Sequence, residues 1–571
     1  MRILQTTEED KEDMEQIIKG NIKAKTAYSP YGMVSTASRI ATAAGVQMLS
    51  RGGNAIDAAV AAAFCLGVTE PQASGLGGQS MVLLHHHPNG EASTIALDGS
   101  SRAPFGIDPN SLPQKPLKLG VRATTVPSTP ATLGYLLDTY GTMSIAEVLE
   151  PAIIAAGEGF KLSALQHKLI ARESERMQDE AVRGVFFKNG KPLNAGDTVC
   201  QPQLAACLER IAAAGWRDFY FGEIGEKIIE DMEKRDGLIS RADLSQVPLP
   251  VQREVLKGSY RGYGVATFPP PGAGRALVQI LNTIECIEPD ELAPDTPLYY
   301  LLLSLTFRAV LMNRERFPMD PALYPQLTDQ WMIDKKSAER ISSRISNLVE
   351  YLGKEQFAPP PTSGETTHLS AADSFGNCVG ITQSIELVFG AKTMASGLGF
   401  FYNNYMSAFE YKNMMHPSFL VPGGRPYSSV APTLLFRRNG QPYIMLGSPG
   451  SERISTTLAQ VITRMIDSGQ DLAEAIDGPR IHAAISGKVA LEKRSYRPEI
   501  IDPLARAGFS VKSRGAYSFY IGCVQAVELP ESEGEDFKGV SDPRRDGNAG
   551  GPYAIVSSKE EECKDENSDH L

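Results

Sequence analysis

The chain has 571 residues, 42% of them hydrophobic, and a net charge of −11. An acidic balance without a basic stripe excludes nucleic acid as the main partner. No run approaches the roughly 20 apolar residues of a membrane span, so a membrane partner is not expected either. The 52 glycines and 38 prolines point to a large, loop-rich α/β enzyme rather than a helical bundle. Seven cysteines are scattered without a CxxC pair, which reads as free thiols in a reducing compartment. The charged N-terminus lacks the apolar core of a signal peptide, and a cytoplasmic location is the expectation.

Residues 1–27 are a polar lead-in. Residues 38–67 have helical spacing, broken at Arg51-Gly52-Gly53-Asn54, where glycine ends one helix and Asn54 caps the next. The second of these helices is nearly all small and apolar, so it is expected to be buried on most sides. A glycine loop, Ser74-Gly75-Leu76-Gly77-Gly78, leads into a short strand at 81–84. The turn Pro88-Asn89-Gly90 and a strand at 93–97 complete a hairpin. His85-His86-His87 reads as an exposed loop, not a metal site. Residues 144–235 are mostly amphipathic helix, and helical periodicity returns at 276–281 and 300–312.

Residues 354–365 (KEQFAPPPTSGE) are polar and rich in Pro and Gly, which predicts an exposed linker that tolerates cleavage. A strand at 367–373, a turn at 374–377 and a strand at 378–386 form a hairpin directly after it. Two more strands are expected at 433–436 and 443–446, around the turn Arg438-Asn439-Gly440. The acidic segment 557–571 reads as a disordered tail.

A threonine that opens a strand after a cleavable linker has a specific use. Once the preceding peptide bond breaks, its own α-amine is a base for its own hydroxyl, and no distant histidine is needed. Read locally, Thr366 and Thr367 are equally ordinary β-branched strand residues.

The wider pattern separates these readings. Thr366-Thr367-His368-Leu369-Ser370-Ala371-Ala372-Asp373, followed by Gly376-Asn377, resembles the start of the small subunit in the γ-glutamyltranspeptidase family. The stretch Gly52-Gly53-Asn54-Ala55-Ile56-Asp57 and the glycine loop at 74–78 match in order. So do Pro269-Pro270-Pro271, Pro426-Tyr427-Ser428-Ser429-Val430, Gly447-Ser448-Pro449-Gly450-Ser451 and Ser541-Asp542-Pro543-Arg544. The resemblance runs from about residue 30 to 555.

It implies an α+β fold, the four-layer αββα sandwich of N-terminal-nucleophile hydrolases. It also implies a self-cut between Glu365 and Thr366, giving fragments 28–365 and 366–556 that stay together as a heterodimer. Thr366 is then the nucleophile, with oxyanion donors at the backbone N–H groups of Gly450 and Ser451. Ser384 stands where a threonine often supports the nucleophile. Ser428 and Ser429 match paired serines that hold a substrate carboxylate. No metal or cofactor is required by this chemistry.

The departures cluster on substrate recognition. An arginine usual two residues after the acid of the Asp98 strand end is replaced by Ser100, and Arg102 reaches the same place only if its loop bends. The positions that usually hold the substrate amine are Glu386, Tyr405 and Ala408, so an aspartate is missing outright. A buried pocket stripped of counter-charges holds a zwitterionic head at high cost, and altered acyl specificity is the expectation. Two further readings stand beside a γ-glutamyl amidohydrolase or acyltransferase. One is an acylase for a non-glutamyl amide. The other is a non-catalytic scaffold, against which the retained Thr366, Ser384, Ser428 and Ser429 argue.

Overall fold

The structure is a computed structural model that describes residues 25–87, 90–314, 320–324, 330–350 and 364–553. The segments 1–24 and 554–571, which contain nearly all of the expected lead-in and the whole expected tail, lie outside the described residues.

Two seven-stranded sheets dominate. One runs Asn548–Gly550, Gly32–Thr36, Gly364–Asp373, Cys378–Leu387, Gln79–His86, Ser93–Gly99 and Val251–Glu254. The other runs Lys25–Ser29, Phe537–Ser541, Gln525–Glu528, Pro442–Gly447, Thr433–Phe436, Tyr263–Thr267 and Leu256–Tyr260. All of their pairings are antiparallel.

Strand alternation sorts the side chains into layers. Leu369 and Ala371 face the helix Ala55–Thr69 within one core, whereas Ala372 joins Met33, Met81, Leu83, Phe268, Leu434 and Met445 between the sheets. The helices Gly274–Glu285, Pro297–Arg314 and Arg453–Ser468 cover the outer face of the second sheet. The order is therefore helix, sheet, sheet, helix, as expected of an αββα sandwich. Both sheets mix strands from before and after residue 365, so a cut there leaves each fragment hydrogen-bonded to the other.

The helix expected after Asn54 forms as read. Asn54 Oδ1 accepts from the N–H groups of Ile56 (2.9 Å) and Asp57 (3.0 Å), and Asp57 returns the bond at 2.8 Å. Its residues are buried almost throughout. No helix among the described residues is long and apolar enough to cross a membrane.

Three expectations need correction. Residues 25–27 belong to a strand, not to the lead-in, because they pair with residues 539–541. His85 and His86 lie in the strand Gln79–His86, not in an exposed loop. His85 is buried against Thr94, and burial lowers its pKa to about 4. No metal-binding group of His, Cys, Asp or Glu occurs among the described residues. Finally, the strand at Thr366 begins earlier than expected: Gly364 and Glu365 pair with Leu387 and Glu386, so the end of the supposed linker is sheet.

Candidate active site

The hairpin of Gly364–Asp373 and Cys378–Leu387 builds the centre of the site. Its turn is tied down by Asp373, whose carboxylate accepts the N–H groups of Phe375, Asn377 and, in the helix layer, Ala55. Pairing is regular from Ala372 back to Thr367 and then slips, because Thr367 faces Gln383 while Glu365 faces Glu386. Thr366 alone thus stands opposite two residues, Ser384 and Ile385. Such a bulge re-aims a side chain and is common beside active sites. Thr366 is 5% exposed.

Ser384 bridges the bulge. Its hydroxyl donates to the carbonyl oxygen of Glu365 at 2.6 Å and accepts the Glu386 N–H at 2.9 Å. The peptide bond before Thr366 is therefore polarised by a fixed donor. The Glu365 side chain is just as fixed, with its carboxylate 2.8 Å from Arg545 and only 4% of its surface exposed. Burial pushes its pKa up to about 7, against the pull of Arg545, Arg453 and Arg172.

The loop from Gly447 to Arg453 joins a strand of the second sheet to the N-terminus of the helix Arg453–Ser468. Gly450 has φ +127° and Ser451 +54°. Neither backbone N–H finds an acceptor among the described residues. Both sit where a helix N-terminus adds positive potential, as an oxyanion site requires. Gly447 must be glycine, since an added Cβ would lie 2.3 Å from the His368 ring across the sandwich. His368 is buried between the sheets on Thr382 and Ser370, and burial lowers its pKa to about 3, so the imidazole is neutral.

Three of the expected recognition residues, Tyr405, Ser428 and Glu386, come together beside Ser384. The Tyr405 hydroxyl faces Ser384, Gln79 and Ser428, with Glu386 close enough to act on it electrostatically. Burial pushes the Glu386 carboxyl up to about 7. Its φ of +78° is a strained left-handed conformation held by the Ser384 contact. Ser428 is anchored through its N–H to Pro271 O at 3.1 Å, which explains why the triple proline and the paired serines belong to one site. Ser429 is partly buried and makes no side-chain hydrogen bond among the described residues.

Arg102 flanks this group. Its neighbour Ser101 holds Gln79 Oε1 through N–H and hydroxyl, both at 2.9 Å, and Gln79 reaches Tyr405. The Arg102 guanidinium lies with Arg425 near Asp98 and Asp320. Arg425, Gln79, Glu70 and Arg545 were not singled out from sequence. Arg425 carried a signal, because it directly precedes the Pro426-Tyr427-Ser428-Ser429 motif. Gln79 directly follows the glycine loop at 74–78 and Arg545 directly follows Ser541-Asp542-Pro543-Arg544, whereas Glu70 adjoins no motif.

Comparisons with known proteins give the chain's family and fold. The Gamma-glutamyltranspeptidase family profile matches residues 41–551. The Glutathione hydrolase proenzyme of Escherichia coli (strain K12) is 33% identical over 538 residues, covering 90% of each chain. The Acylase ACY 1 proenzyme of Pseudomonas sp. (strain SE83) is 32% identical over 479 residues, covering 80% of this chain and 83% of that protein. Among solved structures, cephalosporin acylase from Bacillus halodurans superposes with a TM-score of 0.83 at 26% identity, covering 94% of this chain and 98% of that one. The chain belongs to the γ-glutamyltranspeptidase family of N-terminal-nucleophile hydrolases.

Proposed function

We propose that this chain cuts itself between Glu365 and Thr366 and then works as an amidohydrolase or acyltransferase through an acyl-Thr366 ester. The observation that carries this reading is the Ser384 hydroxyl, 2.6 Å from the Glu365 carbonyl oxygen, with Thr366 at the bulge beside it.

In self-cleavage the Thr366 hydroxyl attacks the Glu365 carbonyl carbon. The C–O bond forms, the C–N bond breaks, and the hydroxyl proton passes to the departing nitrogen, which becomes the Thr366 α-amine. Water then hydrolyses the ester and returns the hydroxyl. In turnover that amine takes the hydroxyl proton and delivers it to the leaving amine of the substrate. Gly450 and Ser451 N–H groups stabilise the oxyanion, and water or an amine acceptor releases the acyl group. Because both sheets mix strands from either side of the cut, the product is a heterodimer of the two fragments.

The acyl donor is a γ-glutamyl or related amide. Ser428 and Ser429 hold its carboxylate, Arg102 with Arg425 supplies positive potential at the rim, and Glu386 with Tyr405 meets its amine end. A second reading, an acylase for an acyl group without the amine, is favoured by one specific observation. Ala408 supplies no acid in the turn Tyr405–Ala408, and the remaining acid, Glu386, is held toward its neutral form by burial. The likeness to a cephalosporin acylase fold supports it as well.

The deciding experiment is intact mass under denaturing conditions for the wild type beside Thr366→Ala. Two fragments with a new N-terminus at Thr366 in the wild type, and one uncut chain in the variant, are expected. A wild-type chain that stays whole overturns the reading. Paired γ-glutamyl and glutaryl p-nitroanilides then separate the two acyl classes.

A further inference from the structure

The strand that carries Thr366 is gripped on both sides of it by one buried ion pair. Glu70 ends the helix Ala55–Thr69, and Arg545 follows the strand Phe537–Ser541. They pair at 3.3 Å. From this pair Arg545 reaches forward to the Glu365 carboxylate at 2.8 Å, and Glu70 accepts the Thr367 hydroxyl at 2.5 Å. All four residues are at most 5% exposed. Strand alternation would place residues 365 and 367 on one face regardless. The added fact is that both side chains end on the same pair, while the residue between them faces the bulge.

Arg545 is itself held. Its guanidinium stacks on Phe519 with the carbon 4.6 Å from the ring centroid. The segment just before it is locked by the buried Asp542–Arg480 and Arg544–Glu492 pairs, each at 2.7 Å. Gln72 Nε2 donates to the Glu70 oxygen that faces Arg545, at 3.2 Å. The pair is therefore a rigid reference against which the strand is set.

We propose that Arg545 and Glu70 are positioning residues for self-cleavage, holding the side chains before and after Thr366 so that its hydroxyl lies against the Glu365 carbonyl. The proposal rests on Thr366 as the nucleophile. It also predicts release of the cut end. In the precursor two carboxyls share one guanidinium in a buried place, which is costly. Once the C–N bond is broken, Glu365 belongs to the other fragment and leaves, and Arg545 keeps Glu70 as a balanced one-to-one pair.

The test follows self-cleavage of the full chain over time by denaturing mass spectrometry. Folding is checked by thermal melting of each variant on a Thr366→Ala background. Thr367→Val keeps the shape and removes the hydroxyl, and Thr367→Ser restores it. Glu365→Ala removes the grip of Arg545, and Glu365→Gln retains a hydrogen-bond acceptor. Expected is a roughly 10- to 100-fold slower cut in Thr367→Val and Glu365→Ala, the cost of a small misplacement of reacting atoms. Thr367→Ser is expected to return to within about threefold of wild type, since the hydroxyl's position is what matters. Glu365→Gln is expected to cut faster than Glu365→Ala.

Wild-type rates in both Thr367→Val and Glu365→Ala overturn the proposal, as does a Thr367→Ser chain no faster than Thr367→Val. If Glu365→Ala does not fold, the valine and serine pair at Thr367 decides alone. Cleavage of the Thr366→Ala chain itself would instead sink the nucleophile assignment, so the two failures are distinguishable.

Discussion

The Ser384 hydroxyl donates to the carbonyl oxygen of Glu365, the residue before the candidate nucleophile, and is itself oriented by the Glu386 N–H. A donor aimed at an oxygen that becomes charged during attack acts before any substrate binds. Removing one such donor typically costs about 10²–10³ in rate. Ser384→Ala is accordingly expected to slow self-cleavage by about that factor, while Ser384→Thr keeps the hydroxyl and cuts at near the wild-type rate. Time-resolved mass spectra of freshly purified chain measure both. Equal rates in Ser384→Ala and wild type would remove Ser384 from the mechanism.

Ser451 offers a test of the oxyanion loop that does not abolish it. With φ +54° it occupies a conformation costing a non-glycine residue about 1–2 kcal/mol. Glycine relieves that strain and adds about 0.5–1 kcal/mol of unfolded-state entropy cost. Ser451→Gly is therefore expected to stabilise the protein by about 0.5–1 kcal/mol in urea unfolding. The backbone donor survives, so self-cleavage persists. Loss of cleavage in this variant would mean that the serine side chain has a role of its own.

Much of this site was legible in the sequence because it is built from local patterns. Alternation and a Ser-Phe-Gly-Asn turn mark the hairpin, and the capped helix at Asn54 follows from side-chain chemistry over four residues. Glu365 was misread as linker because the Pro- and Gly-rich composition runs up to it, whereas its burial depends on partners far away in the chain. Arg545 and Glu70, separated by 475 positions, have no shared periodicity. They meet because the segment between Phe537–Ser541 and Asn548–Gly550, which pairs with Gly32–Thr36, sets Arg545 against Glu70 and Glu365. Arg425 and Arg545 each adjoin a recognised motif, which marks the position but not the partner.

Glu386 discriminates between the two acyl classes. Its carboxyl is expected to meet the amine of a γ-glutamyl donor, while a glutaryl donor has no amine to meet. Glu386→Gln should then raise KM for the γ-glutamyl anilide by roughly tenfold, about the 1.4 kcal/mol of one charged hydrogen bond. The same change should leave the glutaryl anilide's KM within about twofold, since no charged contact is lost there. An equal effect on both donors would show that Glu386 shapes the pocket without reading the amine.

Stability is expected to depend on pH through two buried carboxyls, most clearly in the uncut Thr366→Ala chain. Burial raises both Glu365 and Glu386 to about 7, from an ordinary carboxylate value near 4.5. An acid whose folded pKa is raised holds its proton longer in the native state than in the unfolded one. Between about pH 4.5 and 7 these two carboxyls therefore hold more protons in the native state, and their contribution to stability falls as pH rises through that window. Each such group contributes a slope of at most about 1.4 kcal/mol per pH unit, less any discount for the partial exposure of Glu386. Above pH 7 the contribution levels off, because the carboxyl is ionised in both states. Buried His85 and His368, with pKa values lowered to about 4 and 3, contribute the opposite slope below about pH 6.5, so the decline is expected as the difference between the Thr366→Ala chain and its glutamine variants in urea unfolding at pH 5, 6, 7 and 8. Glu365→Gln and Glu386→Gln should each remove one share of that falling contribution, and the double variant both shares. The Glu365 share should also vanish in the cut wild-type enzyme if the cut end has left Arg545. A wild-type heterodimer that keeps the full Glu365 slope would place that carboxyl still at Arg545 after cleavage.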